Sequence, residues 1–344
     1  MRQHVVIIGA GITGLSIALG LKDREIPFTL LESSHRTGGR IFSPGGYDLG
    51  PAWFWPGQQR IMGLLKRLNL TFYSQQDDGF GLHHTAAGLQ RLPSGYIPMS
   101  YRVENGLAAV TGALTALIGE ENIRFSHRVS KVAQRSGEQM AVTVNGGSTV
   151  LHASHVIVAL PPRLAEHTID FEPALSSRLS TEMREMPTWM AGSAKVVIKY
   201  DKAFWKSAEL SGTAFSQTGP LSQIHEASLP NQNEAALFGF VGSVSEELRN
   251  NKTALEVAVL HQLVALFGES ARHYLNIHVK DWRDDINVAT PADAQPLYAH
   301  PRYGLSETSV WAGKLLFSGT ESVVEDGGLV EGALIAAERT LQAL

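Results

Sequence analysis

Residues 4–40 read HVVIIGAGITGLSIALGLKDREIPFTLLESSHRTGGR, and the order of their parts decides the fold. Val5-Val6-Ile7-Ile8 is a continuous apolar run, as expected of a strand buried on both faces of a parallel sheet. Gly9, Gly11 and Gly14 follow at GxGxxG spacing. In that pattern the first glycine permits a tight turn and the second lets a pyrophosphate approach the backbone. The third lets the next helix pack closely on the strand. The helix expected over Ile12 to Lys22 starts with Ile12 and Thr13, so its free N–H groups and positive dipole end meet the phosphates. A second strand, Phe28 to Leu31, ends at Glu32, where a carboxylate can accept hydrogen bonds from both hydroxyls of a ribose. Strand, glycines, helix, strand and acid stand in the order that a dinucleotide-binding unit needs.

Composition narrows the field. At 344 residues, with 44% apolar and 18% charged residues, the chain can bury a large core. A net charge of −4 gives no basic surface for nucleic acid or an anionic membrane, so neither partner is expected. The chain has no cysteine, which excludes disulfides, thiolate metal sites and a cysteinyl link to a cofactor. No apolar run is long enough to span a bilayer, and the first core strand leaves no room for a cleavable signal peptide. A cytoplasmic protein is therefore expected. His83-His84 is a weak metal pair, because adjacent side chains diverge and no carboxylate lies at a useful offset. These histidines read as solvated, and no metal site is expected.

Along the chain, Ile41 to Ala52 is rich in turn formers and Gln58 to Asn69 reads as an amphipathic helix. Residues 71–102 are mixed and poorly periodic. Val103 to Leu117 reads as a turn and a helix. Short strands are expected at Ile123 to Phe125, Arg128 to Gln134, Met140 to Val144 and Thr149 to His152. His155 to Pro162 (HVIVALPP) is a buried strand stopped by two prolines. Ser193 to Tyr200 alternates as a strand, Thr253 to Phe267 reads as a helix, and Ile277 to Trp282 as another strand. Lys314 to Ser318 is a strand, and Val330 to Leu344 closes the chain as a helix.

Together, GAGITGLSIAL, Gly38-Gly39-Arg40, DLGPAW (48–53), HVIVALPP, KVVIKYDKAFW (195–205), and FSGTES (317–322) followed by GGLVEGA (327–333) carry a resemblance. In content and order they resemble the FAD-dependent amine oxidases of the GG-doublet flavoprotein superfamily, across nearly the whole length. The resemblance implies an α/β fold: a Rossmann-like FAD-binding domain of the GR2 type, interleaved with an α+β substrate domain. Residues 1–50, 103–165 and 291–344 would form the first, and residues 51–102 and 166–290 the second.

The resemblance also assigns roles. Gly9, Gly11, Ile12, Thr13, Gly14, Glu32, Gly38, Gly39 and Arg40 would hold the nucleotide, with the Val129 backbone at the adenine. Gly50, Pro51, Ala52 and Trp53 would pass along the isoalloxazine ring, where nothing larger than glycine or alanine fits. Gly319 and Glu321 would belong to the cofactor site, with Glu321 hydrogen-bonding the ribityl or the pyrophosphate region. Gly328, Leu329 and Val330 would set the last helix against the edge of the flavin that becomes anionic on reduction. Trp282 would pack near the ring. Lys195 would reach a water beside the reactive flavin nitrogen, although the alternation of Lys195, Val197 and Lys199 alone reads as a solvated face. Tyr298 matches one tyrosine of the family's aromatic cage; Leu329 replaces the other. Trp53, Trp282 and Leu329 would line the substrate pocket. Leu297 stands where covalent members have cysteine, so the FAD is expected to be non-covalent. Trp53 stands where L-amino-acid oxidases carry a carboxylate-binding arginine. The chain is also shorter than typical members. The expected reaction is oxidation of an amine to an imine, with O2 as acceptor and H2O2 as product. Two other readings stay open at this point: an FAD-dependent C–C desaturase of the same superfamily, and a non-catalytic FAD-binding sensor or partner.

Overall fold

The computed structural model describes residues 3–135, 139–230, 232–297 and 299–344. Its first sheet has six strands in the order Ser309–Val310, Leu315–Phe317, His155–Val158, Val5–Ile8, Phe28–Leu31 and Ile123–Arg124. All neighbours are parallel except the first pair. The apolar run at Val5–Ile8 serves both faces. Val5 and Ile7 pack into one core with Leu15, Leu30 and Leu334 from the strands and helices on that side. Val6 and Ile8 pack into a second core with Val132, Met140 and Val142. Those three belong to a four-stranded sheet: Thr149–Ala153, Met140–Val144, Val129–Gln134 and Asp170–Glu172. The unit is therefore helices, parallel sheet and second sheet in three layers.

The helices of the first layer are Ile12–Asp23, Ala108–Ile118 and Val330–Gln342. Each expected helix is present with ends shifted by a few residues, as fraying helix ends allow. The chain stays with this unit beyond residue 165. Asp170–Glu172 pairs with Val129–Gln134, and helix Ser177–Glu185 sends Leu179 and Met183 into the second core.

A seven-stranded sheet forms the other body, in the order Tyr274–Asp281, Ala194–Tyr200, Ala235–Val241, Leu221–Glu226, Leu210–Ser216, Phe80–Thr85 and Gly88–Leu92. One face carries Val196, Ile198, Ile224 and Leu237 and is covered by Leu255, Val259 and Leu263 of helix Lys252–Phe267. The opposite face carries Val197, Ala236 and Phe238 against Tyr47, Leu49, Ala52 and Trp53. Residues 71–102 hold order that their sequence hides, in the strands Phe72–Ser74, Phe80–Thr85, Gly88–Leu92 and Tyr101–Val103. The first pairs with the last, and the middle two are the edge hairpin of the large sheet. Edge strands with one exposed face lack the regular apolar alternation by which a strand is recognised. The His83-His84 reading needs correction: both are half-buried, and His84 Nδ1 bonds the Thr218 hydroxyl at 2.7 Å. No described helix is long and apolar enough to cross a membrane.

Candidate active site

The parallel strands end at one cavity. Gly9, Glu32, Ala159 and Gly319, each just past the end of a strand, line it, as do residues of the large sheet on its far side. Open α/β sheets bind ligands at this edge. The cavity holds about 1160 Å3, more than the roughly 300–1,000 Å3 of a drug-sized pocket.

At the nucleotide end the local geometry follows from the glycines. A Cβ on Gly14 would lie 2.0 Å from the Gly9 carbonyl oxygen, so only glycine lets the helix sit this close to the strand. A Cβ on Gly11 would meet nothing within 4 Å, because it would project into open space. Gly11 caps helix Ile12–Asp23 without a side-chain bond, leaving the first N–H groups open toward the cavity wall formed by Gly11, Ile12 and Thr13. Glu32 accepts from Ala10 N at 2.9 Å and from Ser34 N at 2.8 Å. Each carboxylate oxygen keeps acceptor capacity beyond these bonds.

Gly38, Gly39 and Arg40 also line the cavity. Gly38 (φ 104°) and Gly39 (φ 57°) both occupy the left-handed region. Arg36 staples this turn, donating to the Thr37, Gly39 and Ile41 carbonyls at 3.1, 2.8 and 3.0 Å. Arg40 donates Nη1 to Glu321 Oε1 at 2.5 Å and Nη2 to Oε2 at 3.1 Å. Glu321 is fully buried and also accepts from Trp189 N at 3.2 Å.

Farther along, Gly50, Pro51, Ala52 and Trp53 form one stretch of wall. A Cβ on Gly50 would sit 1.9 Å from the Arg40 carbonyl oxygen, so the chain's own backbone already demands glycine there. Trp282 donates Nε1 to the Leu49 carbonyl at 2.8 Å and lines the cavity beside this stretch. Gly328, Leu329 and Val330 line it at the start of the last helix, whose cap residue Leu329 offers no side-chain bond. Gly328 has φ 82°, and a Cβ there would press on the Trp189 Cβ and the Tyr303 ring, each at 2.9 Å.

Lys195 reaches the cavity from strand Ala194–Tyr200 and is 2% exposed. Its Nζ donates to the Gly50 carbonyl at 3.1 Å. The same atom lies 3.9 Å from the centre of the Phe238 ring, 5.2 Å from Phe240 and 5.9 Å from Trp53. Burial pulls this ammonium down to about 7; the Asp48 carboxylate opposes the shift and Arg102 adds to it. The alternation had offered a solvated face here. Both faces of the strand are covered instead, one by helix Lys252–Phe267 and the other by the Asp48–Trp53 loop. His225 stands edge-on to Trp53 with ring centres 5.0 Å apart, and burial holds it neutral, near 3.

The residues fit a flavin dinucleotide: a helix N-terminus at open glycines, a buried acid past the second strand with acceptor capacity to spare, and a long cavity walled by Gly50–Ala52 and ending at aromatics and a buried lysine. The comparisons with known proteins bear on this directly. The family pattern for flavin containing amine oxidoreductases matches residues 82–344, and that for NAD(P)-binding Rossmann-like domains matches residues 7–68. The chain belongs to the flavin containing amine oxidoreductases. It is a flavoenzyme of amine oxidation with FAD as cofactor.

Among family members, a probable polyamine oxidase 4 from Arabidopsis thaliana is 22% identical, covering 98% of this chain and 86% of its own. That alignment runs over 439 positions against the 344 residues here, so the relative carries many residues without a counterpart. A double mutant of putrescine oxidase superposes with a TM-score of 0.83 at 19% identity, covering 99% of this chain and 98% of that one. Cyclohexylamine oxidase from Brevibacterium oxydans IH-35A gives 0.83 at 18%, covering 100% and 98%. These two likenesses are likenesses of fold.

Three expected cofactor residues lie off the cavity wall of this amine oxidase. Gly14 is the packing glycine beneath it. Val129 is buried in the second core, and its neighbours Ser126 and Arg128 take the wall position. Glu321 has both oxygens on the Arg40 guanidinium. Tyr298 lies outside the described residues. Several wall residues were not foreseen. Arg36 sits between Glu32 and the glycine pair, where a second cation beside a glycine-pair turn was a readable signal. Asp285 and Asn287 come from a loop far along the chain. Asn287 Oδ1 accepts from Ser33 Oγ at 2.9 Å and from Arg128, closing the loop over the acid. Nothing local marks that contact in the sequence.

Proposed function

We propose that the enzyme oxidises the C–H bond next to a neutral amine nitrogen, that O2 is its acceptor, and that Lys195 handles the protons. Bound FAD would supply the redox chemistry, a two-electron acceptor for the hydride equivalent whose reoxidation by O2 would give H2O2. Gly9, Gly11, Ile12, Thr13 and Glu32 hold the nucleotide end, with Gly38, Gly39, Arg36 and Arg40 at the pyrophosphate. Gly50, Pro51, Ala52, Trp282 and Gly328 to Val330 border the ring. Leu297 on the wall, in a chain without cysteine, supports non-covalent binding. The division into a nucleotide part and a substrate part follows the two large sheets, with the changeover after helix Ser177–Glu185.

The observation that carries this reading is Lys195: a buried lysine on the cavity wall whose hydrogen bond goes to a backbone carbonyl and whose proton is loosened to near neutrality. Buried lysines are rare unless paired or used. With its proton off, Nζ has a lone pair to take one from a substrate ammonium, directly or through a water, which leaves the neutral amine; with it on, Nζ returns the proton. Leu49, Ala52, Trp53 and Phe238 exclude bulk water around it.

The test is the visible spectrum of the purified enzyme, followed by anaerobic titration with amines. Bleaching of the oxidised flavin band and return of colour with H2O2 on admitting air are expected. A flavin that no amine bleaches would overturn the reading. Glu32→Ala is expected to weaken FAD retention about 10–100-fold, the worth of charge-assisted bonds. Flavin fluorescence after dialysis measures it, and undiminished retention would remove Glu32 from the ribose site.

A further inference from the structure

Resting on the amine-oxidase reading, we propose that the substrate is a monoamine with a neutral, largely apolar body, and that the enzyme rejects diamines and polyamines. The wall that would receive that body is a row across three adjacent strands. Lys195 lies opposite Phe240, and Phe240 lies opposite Gln223. Directly opposed residues of antiparallel strands share a face. All three line the cavity, joined by Trp53, whose ring centre is 6.2 Å from that of Phe240. The Trp53 N–H is already given to Gln75 at 2.8 Å, so this ring presents apolar surface.

A second ammonium on the substrate would need a carboxylate, because a cation taken out of water without a counter-charge is expelled. Among the described residues the cavity wall carries two carboxylates, and both are committed. Glu32 lies at the nucleotide turn on Ala10 N and Ser34 N, and Asp285 accepts from Lys280 Nζ at 2.8 Å. Behind the wall, Glu226 accepts from Ser228 Oγ and is 2% exposed, while Asp326 accepts from Gln58 Nε2. The one ionisable side chain of the row is Lys195, and Phe240 and Gln223 carry no charge. Gln223 is exposed at the far end, two strands and roughly 10 Å from Lys195. It places a neutral amide where a carboxylate would select a second ammonium.

The experiment compares n-pentylamine with 1,5-diaminopentane, equal in chain length and different only in the second nitrogen. Anaerobic bleaching of the holoenzyme is followed, with benzylamine and cyclohexylamine as bulkier monoamines. Monoamine is expected to half-saturate reduction at a concentration roughly 10-fold or more below that of the diamine. Equal or better reduction by the diamine overturns the proposal while leaving amine oxidation in place. Failure of all four amines overturns both. Gln223→Glu, at an exposed position, is expected to bring the diamine toward the monoamine; an unchanged ratio removes Gln223 as the selecting residue.

Discussion

Lys195→Met is expected to yield a more stable protein that turns over slowly. The lysine is 2% exposed, surrounded by Phe238, Phe240 and Trp53, and burial lowers it to about 7 from 10.5. The unfolded chain keeps its proton up to the ordinary lysine range, so between pH 7 and 10.5 the unfolded state binds more protons than the folded one. Stability therefore rises with pH through that window, and the burden is fully in place below about pH 7. A shift of this size corresponds to about 4–5 kcal/mol. Methionine has the same length and no charge, so the thermal midpoint of the variant should exceed that of the wild type most at pH 6, and the gap should close toward pH 10. Flavin reduction or reoxidation should fall roughly 100-fold, the lower range for loss of a positioned proton carrier, with the FAD still bound. In the wild type the rate should drop below about pH 7 as Nζ takes up its proton. Normal turnover by Lys195→Met, or a midpoint that does not rise at pH 6, would sink the assignment.

Stability given up for a site of this kind is a common arrangement, and it is the part of the molecule least visible in the chain. Serine, alanine and lysine before Val196-Val197-Ile198 mark a strand but not its burial. That burial comes from helix Lys252–Phe267 on one face and from the Asp48–Trp53 loop, about 150 residues earlier in the chain, on the other. The nucleotide end was legible because its logic is local: turn, helix start and acid lie within forty residues. Farther along the wall one physical reason changed. Gly50 was read as room for a flat ring, and the structure shows a prior demand from the Arg40 carbonyl. Glu321 was assigned to the cofactor through the resemblance, and its partner in the fold, Arg40, stands 281 residues away. The FSGTES motif announced a buried acid without saying what it would hold.

Asp48→Asn is expected to be among the most damaging single changes away from the cofactor. Asp48 and Arg102 are each 1% exposed, with Oδ2 and Nη2 3.3 Å apart. Oδ1 accepts from Leu107 N at 2.9 Å and Ser43 Oγ at 2.6 Å, which ties the loop before Gly50 to the start of helix Ala108–Ile118. Asparagine keeps an acceptor for Leu107, removes the charge and turns an NH2 donor toward Arg102 in place of Oδ2. Arg102 is then buried without a counter-ion, with its Nε unpartnered and Nη1 on the Glu226 carbonyl. Breaking such a pair from one side costs about 3–5 kcal/mol, readable as a fall in the denaturant midpoint. A second readout separates charge from packing. The Asp48 charge holds Lys195 up and the Arg102 charge pushes it down. Asp48→Asn should therefore carry the acid limb of the rate to lower pH, and adding Arg102→Met should bring it back while restoring most of the stability. A midpoint that stays in place would mean the pair carries no stability, and a limb that stays in place would mean that the pair and Lys195 act independently.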